Sequence, residues 1–230
     1  MDHEAISKIG CTDGLFTAWK AAIPRERHFN GDGIISKSHW DSCPAKVLFI
    51  LKETNQAEQN IVSAINKAID NSSSGWWRGK VLRRVGRWAY GLQTYDGTVS
   101  PFKDAVLNEK HALRSIAYIN IKKTSGGAIT NAKAFDSHAQ NFAVFVRKQV
   151  NLIQPNIVVL CGTYQPIKRH VFPELRKVSE RVHICKGIVF INAFHPAARK
   201  NGPMLYHQVL DSYHTYKSLS DEERVLELEQ

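Results

Sequence analysis

Long apolar runs are missing from this sequence. None approaches the roughly 20 residues that a helix needs to span a bilayer, and the polar start Met1-Asp2-His3-Glu4 has no signal-peptide pattern. The expectation is a cytoplasmic protein with no membrane partner. Cysteine is scarce as well: Cys11, Cys43, Cys161 and Cys185 are widely separated and form no Cys-x-x-Cys pair. That spacing argues against a zinc site and a disulfide framework. Cys161 and Cys185 sit in apolar stretches and read as small core hydrophobes. Internal repeats and low-complexity tracts are also missing. No metal and no cofactor is expected, so chemistry has to come from ordinary side chains.

Acidic residues are outnumbered, 21 against 31 Lys and Arg, for a formal charge of +10. Such a balance favours a polyanionic partner such as nucleic acid, although it also serves plain solubility. With 230 residues and 43% hydrophobic content, the chain can bury one substantial core. A monomer is expected, with an α/β domain over residues 46–219 between an N-terminal helical and loop extension (1–45) and an acidic tail (220–230).

Patterning supports that class. A helix is predicted around residues 15–23, followed by a loop punctuated by Pro24, Gly31 and Gly33. Strands are predicted over 46–51, 115–122, 156–161 and 182–192, the last with a kink or hairpin at Lys186-Gly187. Between and after them, helices are predicted over 58–70, 76–92, 132–153, 162–169 and 203–219. Strands alternating with helices argue for a parallel sheet covered on both faces.

In open α/β sheets ligands bind beyond the carboxyl ends of the strands. The predicted ends carry Glu53 and Asn55, Asn120, Gly162, and His195. A carboxylate can orient water or stabilise a cationic sugar, an amide can read a base edge, and an imidazole can stabilise charge on a departing base. The set suits cleavage of a bond to a nitrogen heterocycle.

Over residues 47–210 the order of these segments resembles the uracil-DNA glycosylase superfamily. Val47 to Asn55 is similar to its first motif, a strand ending in Gly-Gln-Asp-Pro-Tyr, Gly-Glu-Ala-Pro-Gly or Gly-Ile-Asn-Pro-Gly according to subfamily. Tyr118-Ile119-Asn120 resembles the strand whose asparagine recognises the flipped base, Ile157 to Gly162 resembles the apolar strand closing on glycine, and His195-Pro196 resembles the last motif, His-Pro-Ser. The resemblance implies a three-layer α/β/α sandwich around a four-stranded parallel sheet. It also implies a monofunctional DNA glycosylase that extrudes a non-standard pyrimidine and leaves an abasic site, with Glu53 and His195 catalytic and Asn120 reading the base.

The departures carry information. Leu51 and Thr54 replace a Gly and a Pro, and Ala197 replaces the serine of the last motif. Arg199 stands where several members insert a leucine wedge into the duplex. Asn55 takes the place of a bulky Tyr that excludes 5-substituents in one branch, which makes a 5-modified pyrimidine a rival to uracil as substrate. A hypermodified cytosine of phage DNA, and hence a defence role, is one such alternative. The family's iron–sulfur branch has cysteine spacings that this chain lacks.

Several basic and aromatic residues are candidates for gripping DNA. Trp76 and Trp77 stand beside Arg78 and Lys80, suited to stacking on bases and holding phosphates, or equally to core packing. Lys80, Arg83, Arg84 and Arg87 share a helix stripe, most simply a solvated face. Thr124-Ser125-Gly126-Gly127 offers backbone amides to a phosphate, and Gly162 allows close approach. A non-catalytic DNA binder of the same fold and a hydrolase of free nucleosides are the remaining alternatives.

Overall fold

The computed structural model describes residues 3–24, 27–54, 60–126 and 131–220. Along them run α1 (His3–Lys8), α2 (Thr12–Ala21), β1 (Gly33–Ile34), α3 (Lys37–Ser42), β2 (Val47–Leu51), α4 (Ile61–Asp70), α5 (Gly75–Arg78), α6 (Lys80–Gln93), α7 (Phe102–Arg114) and β3 (Ile116–Asn120). The second half comprises α8 (Ala132–Asn141), α9 (Ala143–Ile153), β4 (Ile157–Cys161), α10 (Tyr164–Pro166) with a π-helical turn at Ile167–Val171, β5 (Arg176–Lys177), β6 (Val182–Cys185), β7 (Ile188–Ala193) and α11 (Gly202–Ser218).

Strands β3, β2, β4 and β7 lie side by side and parallel. Every residue of β2, β3 and β4 is buried, as their apolar composition, broken only by the terminal Asn120, requires of strands covered on both faces. Alternation divides the core. Val47, Phe49 and Leu51 face α4 to α7 and α11 with Tyr118, Val159 and Ile191. Leu48 and Ile50 face α1, α2, α8 and α9 with Ile119, Leu160 and Phe190. The class is α/β, with helices on both faces of a parallel centre.

The expected four-stranded sheet is corrected to a seven-stranded mixed one, in the order β1-β3-β2-β4-β7-β6-β5. β1, β6 and β5 add antiparallel at the two margins. The apolar run 182–192 is two strands because Lys186 (φ 49°) and Gly187 (φ 77°) both adopt left-handed backbone, the geometry of a tight hairpin turn. Short antiparallel partners also occupy what would otherwise be open edges.

Two predicted helices are each two. The backbone of Gly79 is extended between α5 and α6, and Phe142 interrupts α8 and α9. Helix α7 has no counterpart among the predicted elements, because it buries only Ala105, Glu109, Ala112 and Leu113 and so carries a faint apolar stripe. It packs backbone to backbone on α6: a Cβ on Gly86 would lie 2.2 Å from the Glu109 carbonyl oxygen. Glu109 in turn accepts hydrogen bonds from Arg83 Nε (3.0 Å) and Arg87 Nε (2.6 Å).

Candidate active site

Because β2 and β3 are neighbours, their ladder continues past both strand ends. Ile121 N–H donates to the Leu51 carbonyl (3.0 Å) and Lys122 N–H to that of Lys52 (2.9 Å). This register sets Lys122 beside Glu53, and the two form an ion pair through Lys122 Nζ and Glu53 Oε2. The Glu53 side chain is only 5% exposed. Over it crosses Gly126, whose N–H donates to the Thr54 carbonyl (2.8 Å). A Cβ on Gly126 would fall 2.1 Å from the Glu53 carboxyl carbon, so only glycine permits that approach. His138 on α8 shares the neighbourhood. Burial, then Lys122, push its pKa down to about 4, with Glu53 opposing.

On the next strand Asn120 is 3% exposed. Its N–H donates to Asp32 Oδ2 (2.8 Å) and its carbonyl accepts from Lys123 Nζ (2.7 Å). Lys123 Nζ also donates to Asp32 Oδ1 (2.6 Å), and both side chains are completely buried. Gln149 Nε2 donates to the same Asp32 oxygen (2.9 Å), and the ammonium lies 4.8 Å from the Trp19 ring centroid. Burial lowers the pKa of Lys123 while Asp32 opposes the shift. Asn120 is thus locked by its backbone, and its side-chain amide makes no hydrogen bond among the described residues.

His195 follows β7 and rests on the end of β4. Gly162 is left-handed (φ 70°), and a Cβ there would come within 3.3 Å of His195 Cβ. The Ala197 N–H donates to His195 Nδ1 (3.1 Å), so in the neutral ring the proton sits on Nε2. Burial first, and the nearby Lys52 charge second, lower the imidazole pKa and favour that neutral form. Arg84 fixes the loop from behind: Nη1 donates to the carbonyls of Pro196 (2.6 Å) and Ala198 (3.0 Å), and Nη2 to that of Lys200 (2.8 Å).

Arg84 is therefore corrected from a DNA-facing cation to a buried staple whose donors are directed at the chain's own carbonyls. Trp77 is corrected likewise. It packs in the core at 9% exposure with Lys110 Nζ 4.8 Å from its ring centroid, leaving no face for a base. Arg83 is half-exposed but paired with Glu109. Trp76 packs partly against the core, Lys80 and Arg199 are exposed, and Ser125 is half-buried. Asn55 lies outside the described residues.

Two clefts open near the strand ends. One, of about 520 Å³, includes Lys52, Lys133, Ser137, Gly162, Gln165 and Arg169 in its walls. It lies where the connections diverge, since β2 is flanked by β3 on one side and β4 on the other, the switch point at which open α/β sheets hold ligands. The other, of about 430 Å³, is walled by Asp13, Phe16, Lys20, Phe29, Asp32 and Asn60 with Gly31 and Val62. Among the described residues, no group of three or more His, Cys, Asp and Glu is placed to hold a metal ion, and no helix is long and apolar enough to cross a membrane.

No protein-family model matches the chain, and no curated protein matches it. The site has to be read from its own residues. Sequence patterning names Glu53, Asn120 and His195 but misses Lys122, Asp32, Lys123, Gln149 and His138. The one visible signal was the doubled lysine directly after a strand: alternation sends successive side chains to opposite faces, and each lysine finds a different carboxylate.

Proposed function

We propose that the protein is a DNA glycosylase that hydrolyses the N-glycosidic bond of a flipped pyrimidine, uracil or a 5-modified base. The observation that carries this reading is the fixed orientation of the His195 imidazole, its Nδ1 occupied by the Ala197 N–H and its loop held at three carbonyls by Arg84. A neutral ring fixed in this way offers Nε2–H to an oxygen that becomes negative as the base departs. Electrostatic assistance of this kind acts without reorganisation at the moment of reaction.

As the C1′–N bond breaks, its electron pair leaves with the base. Glu53, held by Lys122, supplies negative charge to the sugar cation and orients the water whose oxygen bonds to C1′. That water's proton ends on the departed base or in solvent. Asn120 presents an unengaged amide to the base edge. Lys52, Lys133 and Arg169 give the switch-point cleft a cationic wall suited to a phosphodiester, and exposed Arg199 is available to the gap left by a flipped nucleotide.

The test is incubation with single- and double-stranded DNA containing uracil, 5-hydroxymethyluracil or 5-hydroxymethylcytosine, with released bases identified by mass spectrometry. Base release that disappears in Glu53→Gln is expected. A second reading, a non-catalytic DNA binder, draws on the burial of Glu53 and its engagement by Lys122. Salt-dependent binding with no released base from any substrate would favour it.

A further inference from the structure

The second cleft is not explained by the chemistry above. Its 430 Å³ falls in the range of small-molecule pockets, and its far wall comes from α2 and the loop after it. It is nonetheless coupled to the base-reading position. Asp32, part of its lining, accepts the Asn120 N–H at 2.8 Å, and Asn60, on its rim, begins α4 directly after the segment that follows Glu53. Aromatic contacts run inward from the cleft: Phe16 meets Phe29 edge-on (5.1 Å), Phe29 meets Trp19 (6.2 Å), and Trp19 lies against Lys123.

The lining chemistry selects an occupant. Phe16 and Phe29 offer apolar ring surface. The Asp13 carboxylate forms no ion pair or hydrogen bond among the described residues, and the Asn60 side chain spends only its oxygen, on the Ser63 N–H at 2.9 Å. Lys20 Nζ hangs 5.4 Å from the Phe29 ring centroid with no acidic partner among the described residues. Among the described residues, acceptor, donor and cation are thus all open around aromatic carbon. A phosphate would meet the Asp13 charge, and an unsubstituted pyrimidine carries nothing to fill a second cleft. A neutral polyol uses both donors and acceptors and packs its C–H faces on rings.

We propose that this cleft, lined by Asp13, Phe16, Lys20, Phe29 and Asp32 with Asn60, is a subsite for a hydroxyl-rich, sugar-like substituent on the pyrimidine. The inference rests on the base-excision reading and sharpens its substrate. Phe29 forms the floor, while Asp13, Lys20 and Asn60 take the hydroxyls. The N-terminal segment thereby becomes the specificity element, and the strand ends beyond it do the chemistry.

The test compares otherwise identical DNAs carrying 5-hydroxymethylcytosine or its glucosylated form, scoring affinity by gel shift at fixed salt and base release by mass spectrometry. Wild type is expected to favour the glucosylated DNA, and Phe29→Ala and Asp13→Asn to lower the glucosylated-to-plain ratio by about 10- to 100-fold, the range for losing a pocket contact. Asp13 is exposed, so Asp13→Asn keeps the comparison valid should Phe29→Ala fold poorly. Equal binding and equal release of the two DNAs by wild type, or ratios unchanged in both variants, would overturn the subsite. Should no base be released at all, the base-excision reading fails, while the affinity ratio still decides the subsite.

Discussion

Lys122 and Lys123 are neighbours in sequence, yet they make two very different ion pairs. Lys123 and Asp32 are both fully buried, and their polar atoms are shared with Gln149 and with both backbone groups of Asn120. Lys122 keeps 22% of its side chain exposed while Glu53 is nearly sealed beneath Gly126. The first pair is deeper, and although Asp32 borders the second cleft, both of its carboxylate oxygens are taken by the chain's own donors. The second lies at a strand end, next in sequence to Lys52 of the switch-point cleft, with His138 in its field. On the proposed reading, depth of burial does not rank charged groups by function. What separates the two pairs is whether the charge has already been used by the fold.

The comparison can be broken most severely at the closed pair. Asp32→Ala or Lys123→Met should each cost about 3–5 kcal/mol in urea unfolding, because the remaining partner is left as an uncompensated buried charge. Replacing both together should cost far less than the sum. At the other pair the effect should appear in turnover: Glu53→Gln is expected to slow base release by about 10²- to 10³-fold with a much smaller change in unfolding midpoint. If Glu53→Gln mainly unfolds the protein and leaves turnover intact, the two pairs are alike and the assignment is wrong.

Arg84 tests the loop rather than a charge pair. Arg84→Met should lose about 1.5–3 kcal/mol, the scale of a hydrogen bond to a charged donor, read by denaturant unfolding, and should impair base release through His195. The next effect is graded. His138 and His183 are each held near pKa 4 chiefly by burial. In the unfolded chain such a ring takes up a proton as the pH falls through 6.5, whereas in the folded protein it does so only near 4. Across that window the unfolded state binds more protons, so stability is full above 6.5 and falls as the pH falls towards 4. Melting temperatures measured from pH 7 to 4 should fall, and less steeply in His138→Gln. Smallest of all, Lys37→Ala should change stability by less than about 1 kcal/mol, since its pair with Asp41 is exposed on both sides.

Much of the central sheet is legible in the sequence because an unbroken apolar run such as Val47–Leu51 has few alternatives to a doubly covered strand. His195, Glu53 and Asn120 are legible for the same reason, as polar residues at or just beyond the ends of such runs. Neither the Asp32–Lys123 pair nor the role of Arg84 is visible, because each depends on contacts across about 90 or more positions. Local composition gives Arg83, Arg84 and Arg87 one appearance, a basic stripe. Packing separates them: Arg84 turns to the His195 loop and the other two to Glu109. Helix α7, the source of Glu109, was itself hidden by its weak apolar pattern.

The reach of Asp32 also bears on where the chain can be cut. A boundary between residues 45 and 46 looks natural on composition, since the segment before it is loop-rich and the first long strand lies just beyond. Yet a fragment starting at residue 46 would keep Lys123, Gln149 and the end of β3 while losing the carboxylate that all three address, along with the Trp19 ring against the ammonium. Such a fragment would inherit an orphaned cation in its interior. The early segment is in this sense the counter-ion of the sheet that follows it, and a fragment without it is expected to unfold at lower denaturant than the full chain.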